Sequence, residues 1–302
     1  MRSNKKKTGE SESIRCKKMT CLFFRHLFSF CAFFFLLLFS CLSCRSVPGA
    51  AVSSEDEFFS HETEHSCWEH ISNGIDFFVY KDNRSRLMYE IVRIDLRNPC
   101  LSIFTMKSTA DWQKTTTVKS FAKRTGADVA INTSPFFMKN RIVPWSKGRP
   151  CGLVVSDGEM LVPADGRYCA IAFYRVSGGG WTAKIFDRQT AVLSDGLMPD
   201  EAAGGFWTIL RGGSIIPFAD IKDTRSAAAL SADGRMLYLL AGKNLTYGEC
   251  AALLKKHGAD SAMQFDGGSS TQLVIRGENT VFQNIPRTVC AIIGFSVSEG
   301  AD

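Results

Sequence analysis

The pattern that most limits what this chain can fold into is a long succession of short runs rich in β-branched and aromatic residues. Gly, Asp, Asn or Pro bounds each one. Runs of this length and composition read as strands. They fall at 75–80, 87–95, 101–106, 129–132, 152–155, 170–176 and 182–186, and again at 206–210, 227–231, 236–241, 262–265, 272–275 and 289–297. Asp157-Gly158 and Asp233-Gly234 carry the residues that short hairpin turns require. Asp165, also before a glycine, reads as a turn.

Two segments show helical spacing instead: Val118, Phe121, Ala122, Thr125 and Tyr247, Cys250, Ala251, Leu254, each at i, i+3, i+4, i+7. Thr246 and Glu249 form a capping box for the second helix, and Gly258 supplies its left-handed stop. The expectation is therefore an α+β fold, a single large domain of mixed or antiparallel sheets with few helices. Two related halves are an option, because both helices exit alike, through Gly-Ala-Asp and a short apolar strand. One strand ends in Asn132 and the other in Asp266, and the ends of central strands are usual places for a site.

The formal charge is +6 over 302 residues, with a pI near 8.7. Residues 1–44 hold eight Lys or Arg and two Glu, which accounts for all of it. The remainder carries 28 basic and 28 acidic residues, so no basic face for nucleic acid is implied. The same leader runs from basic residues into an uncharged apolar stretch, Leu27 to Leu42, shorter than the ~20 residues a spanning helix prefers. Residues 1–44 read as an export signal. Ser40-Cys41 and Ser43-Cys44 resemble the end of a bacterial lipoprotein signal, with Cys41 or Cys44 as the lipidated residue; an uncleaved anchor is the alternative. Either way the expectation is a protein tethered to the membrane of the cell envelope.

Residues 45–71 are polar and read as a solvated tether with incidental histidines, ahead of a domain over 72–299. Six cysteines lie beyond the leader: Cys67, Cys100, Cys151, Cys169, Cys250 and Cys290. They lack CxxC spacing, so no metal or other cofactor is expected. An even number outside the cytoplasm permits disulfides, although Cys250 and Cys290 sit among apolar neighbours like buried thiols.

The most distinctive stretch is Gln264 to Gly277, QFDGGSSTQLVIRG. A strand-like run ends in Asp266; Gly267, Gly268, Ser269, Ser270 and Thr271 follow before a second run begins. A tight hairpin turn is the plain reading. The loop is longer and more polar than such a turn needs, and glycine lets backbone approach a ligand closely. On this stretch alone both readings stay open.

From Val129 to Phe295 the chain resembles the phosphodiester glycosidases. Carrying the resemblance are Asn132 ahead of Phe136-Phe137, CGLVVSDGEML, TRSAAALSADGRMLYLLAGK, TYGECAALLKKHGADSAMQFDGGSSTQL and the closing PRTVCAIIGF. It implies a hydrolase acting on glycosyl phosphodiesters, with its site at the Asp266 loop. The family commonly has Asn-Gly-Gly before its aromatic residue, where this chain has Asn132-Thr133-Ser134-Pro135. It also commonly has a third glycine where this chain has Ser269. Both differences add bulk at the expected pocket.

Hydrolysis at an anomeric carbon passes through an oxocarbenium-like state, which a carboxylate can stabilise, attack or serve by activating water. A phosphate ester leaves as a stable anion, so a second catalytic carboxylate is not required. Positive charge and hydrogen-bond donors at phosphate are. Asp266 is the candidate carboxylate, with Asn132 orienting sugar or water. Arg225, Arg287, Ser270, Thr271 and the backbone at Gly267 and Gly268 are the candidate phosphate ligands. Trp145 could stack on a sugar, although a lone Trp is more often packing. The expected partners are a glycosyl phosphodiester or envelope glycan and the membrane. Two other functions fit the same residues: a non-catalytic glycan-binding lipoprotein, and a phosphodiesterase that cuts P–O.

Overall fold

A computed structural model of the protein describes residues 68–298, apart from Arg141, Pro144, Asp195 and residues 282–286. The expected export signal, both candidate lipidation sites and most of the expected tether lie outside the described residues.

The strands, in chain order, begin with β1 (Glu69–Ser72), β2 (Ile75–Asp82), β3 (Leu87–Asp95), β4 (Leu101–Thr105), β5 (Val129–Asn132), β6 (Phe136–Met138) and β7 (Gly148–Pro150). There follow β8 (Val154–Ser156), β9 (Glu159–Val162), β10 (Ala170–Arg175), β11 (Trp181–Phe186), β12 (Glu201–Gly204), β13 (Thr208–Arg211) and β14 (Ser214–Ile215). The last are β15 (Asp223–Leu230), β16 (Met236–Leu245), β17 (Ser261–Gln264), β18 (Gln272–Ile275), β19 (Glu278–Val281) and β20 (Ile292–Val297). Among the described residues three helices interrupt them: α1 (Val118–Thr125), α2 (Gln189–Ser194) and α3 (Tyr247–Lys256).

An eight-stranded sheet has the order β1-β2-β3-β16-β15-β17-β13-β14. Two five-stranded sheets have the orders β11-β10-β12-β8-β9 and β19-β18-β5-β20-β4, and β6 pairs with β7. The described ladders are antiparallel throughout. The fold is thus mostly β with few helices, and the expected α+β balance shifts toward antiparallel sheet. Among the described residues no helix is long and apolar enough to cross a membrane.

Side chains from all three large sheets meet in one apolar core, with Val92 and Leu239, Ile171 and Phe173, and Ile131 and Phe295 packed together. The outer face of the eight-stranded sheet is covered by α3, through Cys250, Ala251, Leu253 and Leu254. Helix α1 covers the sheet around β5 through Val118, Phe121 and Ala122. Burying one Leu of this kind contributes about 1.5–3 kcal/mol, more than the propensity of so short a helix supplies.

The helix ends follow the sequence signals. Thr117 Oγ1 accepts from Ser120 N at the start of α1, and Gly126 stops the helix at φ +72°. Thr246 and Glu249 close the capping box of α3, and Gly258 follows its end at φ +104°. Asp157 and Gly158 both take positive φ in the β8–β9 hairpin, as a two-residue turn of this hand demands.

One expectation needs correction. The fold begins before residue 72: Glu69–Ser72 is already strand, and Trp68 packs at its ring edge on His257. Cys100, Cys151, Cys169, Cys250 and Cys290 are all free thiols, so no disulfide forms among the described residues.

Candidate active site

Strand β17 lies between β15 and β13, and its ladder ends at Gln264. The chain then crosses to the end of β5, in a different sheet. Asp266 N donates to the Thr133 carbonyl at 2.8 Å, and Asn132 Nδ2 donates to the Asp266 carbonyl at 2.7 Å. The carboxylate is therefore held, by backbone bonds on both sides, where two sheets meet. Asn132 Oδ1 also accepts from Ser226 Oγ at 2.9 Å and from Gln272 N at 3.0 Å. With three protein partners and only 1% exposure, Asn132 braces the Asp266 loop and does not face solvent to orient sugar or water.

The two glycines after Asp266 are needed for different reasons. A Cβ on Gly267 would stand 2.9 Å from the Thr224 carbonyl oxygen, so its close approach is to protein. Gly268 has room, but its φ is +58°, in the left-handed region. The chain then makes one 3-10 turn over Gly268–Ser270. Thr133 accepts from Asp266 N through its carbonyl, and Ser270 and Thr271 close the loop that Asp266 opens. Their hydroxyls are buried and find no protein partner. An unsatisfied buried hydroxyl costs about 1–3 kcal/mol, a cost that a hydrogen-bonding ligand or water at this loop would remove.

Burial raises the pKa of the Asp266 carboxyl to about 6; the Ser270 hydroxyl, the positive charge of Arg287 and the Gly267 N–H partly oppose the shift. Ser270 exerts this effect without a hydrogen bond of regular geometry. A carboxyl titrating there can release or take up a proton near neutrality.

Of the two candidate arginines, the structure brings only Arg287 to the carboxylate. Arg287 Nη1 donates to Ser269 Oγ at 3.0 Å, and Nη2 and Nε donate to the Met138 sulfur at 2.6 and 3.2 Å. The guanidinium carbon lies 4.8 Å from the centre of the Phe136 ring, and no ion pair engages it among the described residues. Arg225 is placed elsewhere. It shares a face of β15 with Ala227 and Ala229, which pack against α3, while Ser226 on the other face meets Asn132. Its Nε and Nη2 donate to the carbonyls of Leu245 and Ile221, and its guanidinium lies 4.1 Å from the Tyr247 ring centre. Arg225 is a buried brace for the eight-stranded sheet.

Several residues of the site carry no motif. Gln272 is fully buried; its Nε2 donates to the Arg287 carbonyl at 2.6 Å and its Oε1 accepts from Val118 N at 3.2 Å. Phe136 and Met138 form the wall beneath Arg287. Cys151 and the buried Cys290 both sense the Asp266 charge; burial raises both thiols, so they remain protonated. Of the residues expected to crowd the pocket, Thr133 lies against Asp266, while Ser134 and Ser269 are engaged elsewhere. Ser134 is buried, with its hydroxyl on the Gly204 carbonyl, and Ser269 holds Arg287.

A carboxyl poised near neutrality, with an arginine and hydroxyls that find no partner among the described residues, makes a candidate acid–base site at a junction of antiparallel sheets. The family model for phosphodiester glycosidase matches residues 125–296, more than half of the chain. The chain belongs to the phosphodiester glycosidase family, whose members are glycosidase-type hydrolases.

Solved structures share the fold. A hypothetical protein from Synechocystis matches with a TM-score of 0.59 at 17% identity, over 78% of this chain and 64% of its own length. The catalytic domain of zebrafish N-acetylglucosamine-1-phosphodiester α-N-acetylglucosaminidase, auto-inhibited by its pro-peptide, matches with a TM-score of 0.55 at 18% identity. That match covers 74% of this chain and 83% of the domain. A putative exported protein from Burkholderia pseudomallei matches with a TM-score of 0.55 at 12% identity, over 69% and 74%. No curated protein sequence gives a significant match.

Proposed function

We propose that this protein is an exported, membrane-tethered hydrolase that cleaves a glycosyl phosphodiester at the anomeric carbon. The observation that carries the reading is the meeting of Asp266, titrating near 6, with Arg287 and the unpaired hydroxyls of Ser270 and Thr271. Family membership supports the reaction class, and the zebrafish enzyme's name specifies a sugar 1-phosphodiester. The leader sequence supports export and tethering.

Ionised Asp266 takes a proton from water as the water oxygen bonds to the anomeric carbon. The bond from that carbon to the phosphate oxygen breaks, and its electron pair leaves with the phosphomonoester. Arg287 and the loop hydroxyls stabilise the charge arriving on phosphate. Because that leaving group is already a weak base, no second carboxyl is required. Hydrolysis in heavy-oxygen water tests the bond assignment. The label is expected on the free sugar and not on the phosphomonoester; label in phosphate would mean P–O cleavage. Binding without turnover across a broad panel of sugar phosphodiesters would favour a glycan-binding protein.

A further inference from the structure

The β6–β7 hairpin walls the active site on one face and carries an unexplained surface on the other. Phe136 and Met138 point to Arg287, while Phe137 points away, its ring 5.4 Å from the Arg149 guanidinium. The same guanidinium lies 5.7 Å from Trp112, on the segment that bridges to β7 through Gln113 and Gly148. At the tip, Ile142 is 90% exposed and Trp145 is 73% exposed, the highest values for large apolar side chains among the described residues.

The described residues around these side chains are held by local hydrogen bonds. Asn140 N donates to Ser146 Oγ, Ile142 N to Asn140 Oδ1, Ser146 N to the Val143 carbonyl and Lys139 N to the Lys147 carbonyl. The described residues of the loop thus bond to one another while Ile142 and Trp145 stay outside. Its charge has one sign. Lys139, Arg141, Lys147 and Arg149 are basic, and no Asp or Glu occurs from Val129 to Ser156.

We propose that this hairpin tip docks on an anionic lipid surface, with Ile142 and Trp145 entering the headgroup region and Lys139, Lys147 and Arg149 meeting lipid phosphates. Trp is favoured at membrane interfaces, and basic side chains beside it reach to headgroups. Stacking on a sugar would use Trp145 but gives no part to Ile142, whose exposed aliphatic side chain gains only from an apolar medium. Protein partners would equally cover apolar residues, but the uniformly basic charge of this hairpin complements a surface of one charge. The contact is separate from the N-terminal leader and independent of which bond the site cleaves. It would present the Asp266 pocket to substrates at the lipid surface.

The test uses the full chain reconstituted in vesicles, so the leader is present in every sample. Emission of wild type minus that of Trp145→Phe isolates Trp145. In phosphatidylglycerol-containing vesicles this difference is expected to be blue-shifted and quenched by lipids brominated near the headgroup. In pure phosphatidylcholine vesicles it is expected to be markedly less so. Each charge reversal among Lys139→Glu, Lys147→Glu and Arg149→Glu should lower the docked-to-free ratio by roughly fivefold. Circular dichroism should be unchanged in these variants. Water-like, unquenched Trp145 emission in both vesicle types would overturn the proposal, as would a response to soluble dextran sulfate alone.

Discussion

Asn132 Nδ2 and the Asp266 carbonyl oxygen lie 2.7 Å apart, a bond that joins the ends of β5 and β17 across two sheets. Replacing Asn132 by Ala would leave the Asp266 carbonyl, the Ser226 hydroxyl and the Gln272 N–H without their partner in a dry interior. The expected loss is roughly 2–4 kcal/mol of stability, read by denaturant unfolding. Turnover should fall as well, because the loop that carries Asp266 loses its anchor on β5. An Asn132→Ala protein with wild-type stability and activity would remove the brace from the account.

The glycines beside Asp266 should respond unequally. At Gly268 an alanine meets no backbone atom and suffers only the left-handed conformation, a cost of roughly 1–2 kcal/mol. At Gly267 the new methyl would press on the Thr224 carbonyl and move the loop that carries the carboxylate. Gly267→Ala should therefore depress turnover by at least about tenfold if the carboxylate must be held to within an ångström. Gly268→Ala should mainly lower the melting temperature. Similar kinetics for the two variants would argue against it.

Much of this arrangement is legible in the residues, and the gaps have physical causes. Strands that alternate or carry β-branched runs, such as 87–95 and 129–132, coincide with β3 and β5. Glu201–Gly204 forms β12 without any such signature. Its short alanine-rich run is buried between β10 and β8, where small side chains let neighbouring layers close. The β6–β7 hairpin is hidden by Pro150 and by a long loop. The direction of Arg225 was legible only with the full extent of β15. The apolar run suggests a start at Ala227, but the strand begins at Asp223, and that extension sets Arg225 on the α3 face. Gln272 and Ser226 bond to Asn132 from 140 and 94 residues away in sequence, a relation no local pattern encodes.

The two arginines offer a paired test. Arg287→Lys keeps a charge near Asp266 but loses the fork that fits phosphate, so KM should rise and turnover should fall. Arg287→Ala additionally removes a charge that holds the Asp266 pKa down, and the acid limb of the pH–rate profile should move to higher pH. Arg225→Lys should instead lower thermal stability, through lost bonds to Leu245 and Ile221, while leaving that limb in place. The reverse pattern would return Arg225 to the site.

The Asp266 carboxyl links activity to stability with opposite signs. As the general base it must be ionised, so kcat/KM should rise with pH through about 6 and then level off. Burial raises its folded pKa above the ordinary carboxylate value of 3.8, so the folded state binds the proton more tightly than the unfolded chain. The stabilising effect of that proton is complete below about pH 4 and disappears as pH rises through about 6. Asp266→Asn removes this dependence and should gain roughly 1–3 kcal/mol over wild type above pH 6, with no such gain below pH 4. The same variant should lose turnover by orders of magnitude while still binding a sugar phosphodiester. Denaturant unfolding of both proteins at pH 4 and pH 8, beside single-turnover kinetics, reads both halves. A variant that is no more stable at pH 8, or that retains activity, would show that Asp266 is not the buried base of this site.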